Sequence, residues 1–292
     1  MAESIWATEG EFQPAYITPT NANYSDGPAG FAYNPGTALN AKYEDAFFVT
    51  EFPKGNLRSF KVKPKGATFE MTDEHTVYSG PMNVGINFGP DGALYSADWS
   101  GGYPLNDKGA VWTLDDPKEA GSEIRKEVAA MLKAGPSEVS TTDLVKTLSH
   151  KDMRIRLDAQ WELAERKAKD DFIATASAEG ADQMAVIHSL WGLTQMKAFD
   201  LPLFEKLSKS KDAELRAQAL KYATESGQIL VPGLEQLIKD ESLRVRYFAV
   251  MFAWKSKTWS LTCLSTNVSN SIIEMLVEND NRDAYLRHAG VL

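Results

Sequence analysis

The chain has 292 residues, 43% of them hydrophobic, and a formal net charge of −9. That length and apolar content are ample for two cores, and the acidic balance excludes a nucleic-acid surface, which needs a basic stripe. The single Cys263 excludes an internal disulfide framework and a four-cysteine metal site, and no apolar run reaches the roughly 18 residues of a membrane span.

The opening stretch, Met1 to Gly10, lacks the apolar segment of a signal peptide. Short strands then follow one another. Gly30 to Tyr33 precedes a loop with Asn34-Pro35-Gly36. Ala46 to Phe52, Leu57 to Val62 and Glu74 to Tyr78 come next. The stretch GINFGPDGALYSADWSGGYPLNDKGAVWTL, from Gly85 to Leu114, reads as strand, turn, strand, loop, strand. Proline presets φ and glycine accepts positive φ, so Pro90-Asp91-Gly92 is a turn with a mechanism. Strands in groups of about four, joined by hairpins, are the unit of a β-propeller. Residues 1–115 supply about two such blades, and a ring needs at least about four. The expected fold of this half is therefore a partial propeller, part of a longer protein.

After Asp115-Asp116-Pro117 the composition shifts to Ala, Leu, Lys and Glu at helical spacing. Residues 116–140 read as a linker carrying one helix, Ser122 to Ala134, stopped by Gly135-Pro136. Residues 141–292 then repeat. Copies open at Asp152, Asp182, Asp212 and Ser242, about 30 residues apart, with a fifth at Asp283. The opening Asp or Ser suits a helix N-cap. Three residues on stand Ile155, Ala185, Leu215, Val245 and Leu286, an apolar stripe. Four on stand Arg156, Arg216, Arg246 and Arg287, with Val186 in the second copy. Seven on stand Ala159, Ser189, Ala219, Ala249 and Gly290, small enough for close helix approach. An apolar helix precedes each cap. The pattern predicts stacked helix pairs, a HEAT-like α-solenoid ending inside a repeat. The arginines are expected to pair with capping acids of neighbouring copies. Ala217 is expected to face solvent, because two residues turn a helix by about 200° away from Ala219. The fold class is thus α+β and multidomain.

The stretches DGPAGFAYNPGTALNAKYEDAFFVTEF, FGPDGALYSADWSGGYPLNDKGAVWTL, DMRIRLDAQWELAERK and IHSLWGLTQM together resemble a known family. Its members are large exported bacterial proteins, termed membrane-bound-dehydrogenase-like or propeller–HEAT proteins, typical of planctomycetes and verrucomicrobia. Their propeller is similar to that of quinone-dependent glucose/sorbosone dehydrogenases. The resemblance implies export to the periplasm. In the full-length family it also implies pyrroloquinoline quinone (PQQ) and a C-terminal c-type haem domain. This chain has no Cys-x-x-Cys-His haem motif. It matches the last two blades and the first helical repeats, without the blades that carry the chemistry. No cofactor is expected in this chain. The expected role is interaction and scaffolding, with a protein partner or neighbouring domain on the helices. The alternative is part of a dehydrogenase acting on a small sugar or alcohol.

Propeller ligands bind on loops at one mouth of the ring, which singles out several residues. Asp98 is placed to bind a sugar hydroxyl or a cation, or to cap its own loop. Trp99 would stack on a sugar or pack between blades. Lys108 would contact an anionic cofactor or sit exposed. Tyr33, Asn34 and Glu51 would line the same mouth, with plain turn chemistry as the other reading of Asn34. His188 reads as a satisfied core histidine and His150 as an exposed one. Cys263 lies in no catalytic motif.

Overall fold

The computed structural model describes residues 18–22, 24–100, 104, 107–259 and 266–292. The stretch Met1 to Gly10, part of the Asp98–Lys108 loop, and Cys263 lie outside these residues. Among the described residues the fold is mixed α/β, with two small antiparallel sheets and eleven α-helices, and the sheets form no closed barrel.

Seven strands form the N-terminal half: β1 (Pro28–Tyr33), β2 (Phe47–Glu51), β3 (Asn56–Lys65), β4 (Thr68–Ser79), β5 (Asn83–Phe88), β6 (Leu94–Asp98) and β7 (Ala110–Leu114). The first four make one sheet in chain order, and the last three make the second. Period-two alternation sets the faces. Ala32, Phe48 and Leu57 turn inward and meet Phe88 and Leu94 of the second sheet. Phe48 and Phe88 pack edge to face at 5.6 Å. The opposite face of the first sheet carries Phe31, Phe47 and Phe60, and Phe31 is largely exposed. Phe47 lies opposite Phe60 in the ladder, with the rings stacked at 5.2 Å.

The β3–β4 hairpin is longer than its sequence suggests. The expected strands Leu57–Val62 and Glu74–Tyr78 extend until the chain reverses at Gly66, whose φ of 59° closes the turn. The tip is held from outside the sheet. Asp283 of the last helical copy accepts a hydrogen bond from Ala67 N at 2.8 Å, and Arg244 stacks over Phe69 at 5.0 Å.

The helices are α1 (Glu123–Ala134), α2 (Thr141–Thr147), α3 (Met153–Glu165), α4 (Lys169–Ser177), α5 (Gln183–Gln195), α6 (Leu201–Leu207), α7 (Ala213–Glu225), α8 (Leu234–Ile238), α9 (Leu243–Trp259), α10 (Thr266–Asn279) and α11 (Ala284–Val291). Four of the five opening positions are caps where the repeat puts them. Asp152, Asp182, Asp212 and Asp283 each accept a backbone N–H from the first turn of their helix. Helices α3, α5, α7, α9 and α11 then touch one another in series. The small positions matter where helices close up. A Cβ on Gly290 would stand 2.6 Å from Leu276 of the paired helix.

Two expectations change here. The arginines bond chiefly to the loop preceding their own helix. Arg156 donates to the carbonyls of His150 and Lys151, Arg216 to those of Ser210 and Lys211, and Arg246 to that of Asp240. Their second partners lie in the next copy but are not its caps. Arg216 pairs with Asp240 at 2.8 Å and Arg246 with Glu278 at 2.9 Å. Ala217 does not face solvent. Ala217 and Ala219 are both 0% exposed, because α7 is flanked by α5 and α9 and backed by α6. Three-sided packing leaves only a narrow wet stripe.

Leucine at either alanine therefore overpacks the interior, at about 1–3 kcal/mol. Ala217→Leu and Ala219→Leu should lower the thermal midpoint by similar amounts in calorimetry or circular dichroism. An unaffected Ala217→Leu variant would contradict this packing.

Candidate functional site

The six candidate residues divide between the two ends of the first sheet. Tyr33 and Asn34 end β1 opposite Phe47, whereas Glu51 lies at the far end of β2, opposite Pro28. Four residues of strand separate Phe47 from Glu51, about 13 Å. At the Glu51 end the structure brings in the second sheet. Trp99 stacks on Phe52 at 5.1 Å with an interplanar angle of 13°. Asp98 lies beside it, and the exposed Lys108 precedes β7 there.

Most of these polar groups are committed to the fold. Asn34 is buried, donates to the carbonyls of Ala38 and Tyr43, and accepts from Gly36 N, each at 2.9 Å. That is the turn chemistry of an Asx residue. Asp98 accepts from Met82 N, Ser100 Oγ and Trp112 Nε1. Glu51 is buried. Burial would raise its pKa, but hydrogen bonds from Asn56, Arg58 and Asp26 N offset this and leave it lowered. Tyr33 donates to Asp45 at 3.0 Å. Burial and that carboxylate push its phenol up to about 12.

The cleft that joins the two halves of the molecule lies elsewhere. About 200 Å³ of space opens between the loop after β1, the turn before α1 and the loop before α3. Thr37, Asn40, Glu44, Glu119, Ser122 and Lys151 supply its polar lining. Lys151 pairs with Glu44 at 3.3 Å. Ser122 Oγ is shielded from solvent and makes no hydrogen bond within the described residues. This lining can hold a small polar ligand. Thr37, Asn40, Ser122 and Lys151 were missed from sequence because they come from three separated segments and carry no motif.

Two side chains anchor the walls of this cleft. Asp152 caps α3 and also accepts from Thr37 Oγ1, while Met153 N donates to Pro35 O at 2.7 Å. The approach is so close that a Cβ on Gly36, whose φ is 107°, would stand 2.5 Å from Lys151 O. Arg125 on α1 is buried and donates to Leu39 O, Asp91 O and Asp115. Residues 116–140 are therefore held against both sheets by α1. Burial pushes the Asp152 carboxyl up, but hydrogen bonds from Arg154 and Thr37 bring it below the usual range.

A polar chain continues into the helices. Arg156 Nε donates to His188 Nε2 at 3.1 Å, so Nδ1 carries the proton and donates to Gln160 Oε1 at 2.8 Å. Burial, assisted by Arg156, pushes His188 down to about 4. It is the satisfied core histidine that the sequence suggests. His150 is not exposed as expected. Its ring is largely covered, and Nδ1 accepts from Asp152 N at 2.9 Å.

Among the described residues no group of three or more His, Cys, Asp and Glu is arranged to hold a metal ion. No helix there is long and apolar enough to cross a membrane. Comparison with protein-family models and with curated proteins finds no match.

Arg125→Ala removes the partner of the Asp115 carboxylate and of the Leu39 and Asp91 carbonyls, and should cost about 1–3 kcal/mol in denaturant unfolding. Asp152→Ala removes a cap and should cost about 1–2 kcal/mol. The Asp152 contribution is present above the ordinary carboxylate pKa and is lost as pH falls through its depressed value. For His188, the folded pKa lies below the unfolded one. Its neutral form stabilises the fold above about 6.5, and this stability is lost as pH falls towards about 4. Its imidazole signals in NMR should stay neutral through pH 6. A midpoint near the free value would refute the buried relay.

Proposed function

We propose that this chain is an interaction and scaffold portion of a propeller–HEAT protein, with two adjacent propeller blades joined to a HEAT-like solenoid. The carrying observation is the repeated helix geometry. Acids spaced about 30 residues apart cap successive helices. Each helix buries its small position against neighbours, as at Ala159, Ser189, Ala219 and Ala249. Such arrays present long surfaces to partners. The blade reading draws support from two sheets stacked through one apolar face each, while each opposite face carries exposed apolar side chains such as Phe31 and Val111. The polar groups of Asn34, Glu51 and Asp98 serve the fold, which favours a scaffold over a reacting centre.

The scaffold reading is tested against the dehydrogenase one. Purified chain supplied with PQQ and calcium should give only background dye reduction with glucose, sorbosone or simple alcohols. Saturable turnover that Asp98→Ala abolishes would move the reading to an enzyme.

A further inference from the structure

The cleft between the two halves holds polar groups that the fold leaves unmatched. Of its lining, Thr37 gives its hydroxyl to Asp152, Asn40 donates its amide to Asp116, and Lys151 and Glu44 neutralise each other. Ser122 and Glu119 remain. Ser122 stands at the N-cap of α1, where a serine ordinarily accepts from the first turn of its own helix. It makes no such bond, and its Oγ is shielded from solvent without a hydrogen bond among the described residues. A shielded hydroxyl without a partner costs stability until something bonds it. The first bond of α1 runs from Lys126 N to Ser122 O. The N–H groups of Glu123 and Ile124 therefore stay open, at the positive end of a helix of 12 residues. The partly buried Glu119 carboxylate has no ion-pair or hydrogen-bond partner among the described residues. A turn closed from Ser122 N to Glu119 O at 3.1 Å keeps this acid and the free hydroxyl on one short loop. Leu39 and Ile124 supply apolar wall to the same cleft.

We infer that this cleft is a binding site for a small zwitterion, an α-amino acid with a short side chain. Its carboxylate takes the Ser122 hydroxyl and the open N–H groups of α1, as anions do at helix N-termini. Its ammonium group takes the Glu119 carboxylate, and its side chain lies on Leu39 and Ile124. Unmatched groups of both signs select this class. An anion without an amine meets Glu119 as well as the helix terminus. A cation without a carboxylate meets the positive end of α1. A neutral polyol satisfies Ser122 and leaves both poles uncompensated. The space of about 200 Å³ is smaller than cofactor-sized pockets of roughly 300–1,000 Å³, which limits the ligand to a few heavy atoms. The walls come from the sheet loop after β1 and from the segments before α1 and α3, so the bound molecule bridges the two halves. Neither the blade reading nor the scaffold reading is needed for this site.

The test is isothermal titration calorimetry of the full chain with L-alanine and with L-serine. At least one should bind saturably with a Kd of about 1 mM or below. Propanoate lacks the amine, ethylamine lacks the carboxylate and glycerol lacks both charges, and each should bind at least about tenfold more weakly. Ser122→Ala and Glu119→Gln should each weaken the amino acid by about tenfold or more, the loss of one charge-assisted hydrogen bond. Neither side chain bonds to another described residue, so both variants should keep the wild-type circular dichroism and thermal midpoint. Lack of saturation by both amino acids up to about 10 mM overturns the inference. So does binding that either substitution leaves at wild-type strength, or one of the three analogues binding as tightly as the amino acid.

Discussion

The junction at Asp152 constrains much of the rest. One buried carboxylate caps α3 through Arg154 N, accepts from Thr37 of the sheet loop, and pairs with the Arg154 guanidinium. Arg154 in turn reaches Gly89 O in the second sheet at 2.8 Å. A helix cap needs its acceptor in one place, so the first helical copy and both sheets share a single registration point. Burying that carboxylate is costly unless its lone pairs are filled. Here several donors do so, and the two halves are coupled by the requirement.

The same economy recurs along the helices. Arg156, Arg216 and Arg246 each fasten the loop before their own helix and then reach into the next copy. The loop carbonyls at helix junctions would otherwise be unsatisfied. One guanidinium, with several donors in a fixed fork, closes a loop and links two copies at once. Arg156 follows the first half of this rule. For the second it meets neutral His188, which lies in a buried position of α5 and so remains an acceptor. Asp283 closes the series by holding Ala67 at the β3–β4 tip. The sheet hairpin therefore touches the last copy as Thr37 touches the first.

Several side chains singled out in sequence make bonds and contacts within the fold. Asn34 ties a turn, Asp98 ties β5 to β7, and Trp99 covers Phe52. The polar cleft forms instead where three chain-distant segments meet. Glu44, Glu119 and Lys151 carry no shared spacing, and only the closure of α1 and α3 onto the sheets sets them around one space.

The sequence by itself determined what depends on neighbours along the chain. Capping acids, the small and apolar helix positions, and turns such as Pro90-Asp91-Gly92 act within a few residues, so spacing exposes them. The tertiary structure alone decided what depends on meeting across the chain. Ala217 is buried because α7 has neighbours on three sides, a number that one helix's periodicity does not contain. His150 is covered because the Asp152 junction folds over it. The β3–β4 strands run on to Gly66 because Asp283, more than two hundred residues away, receives their tip. Local spacing encodes backbone conformation. Burial and pairing depend on which distant surface arrives, and that is settled only when the chain packs.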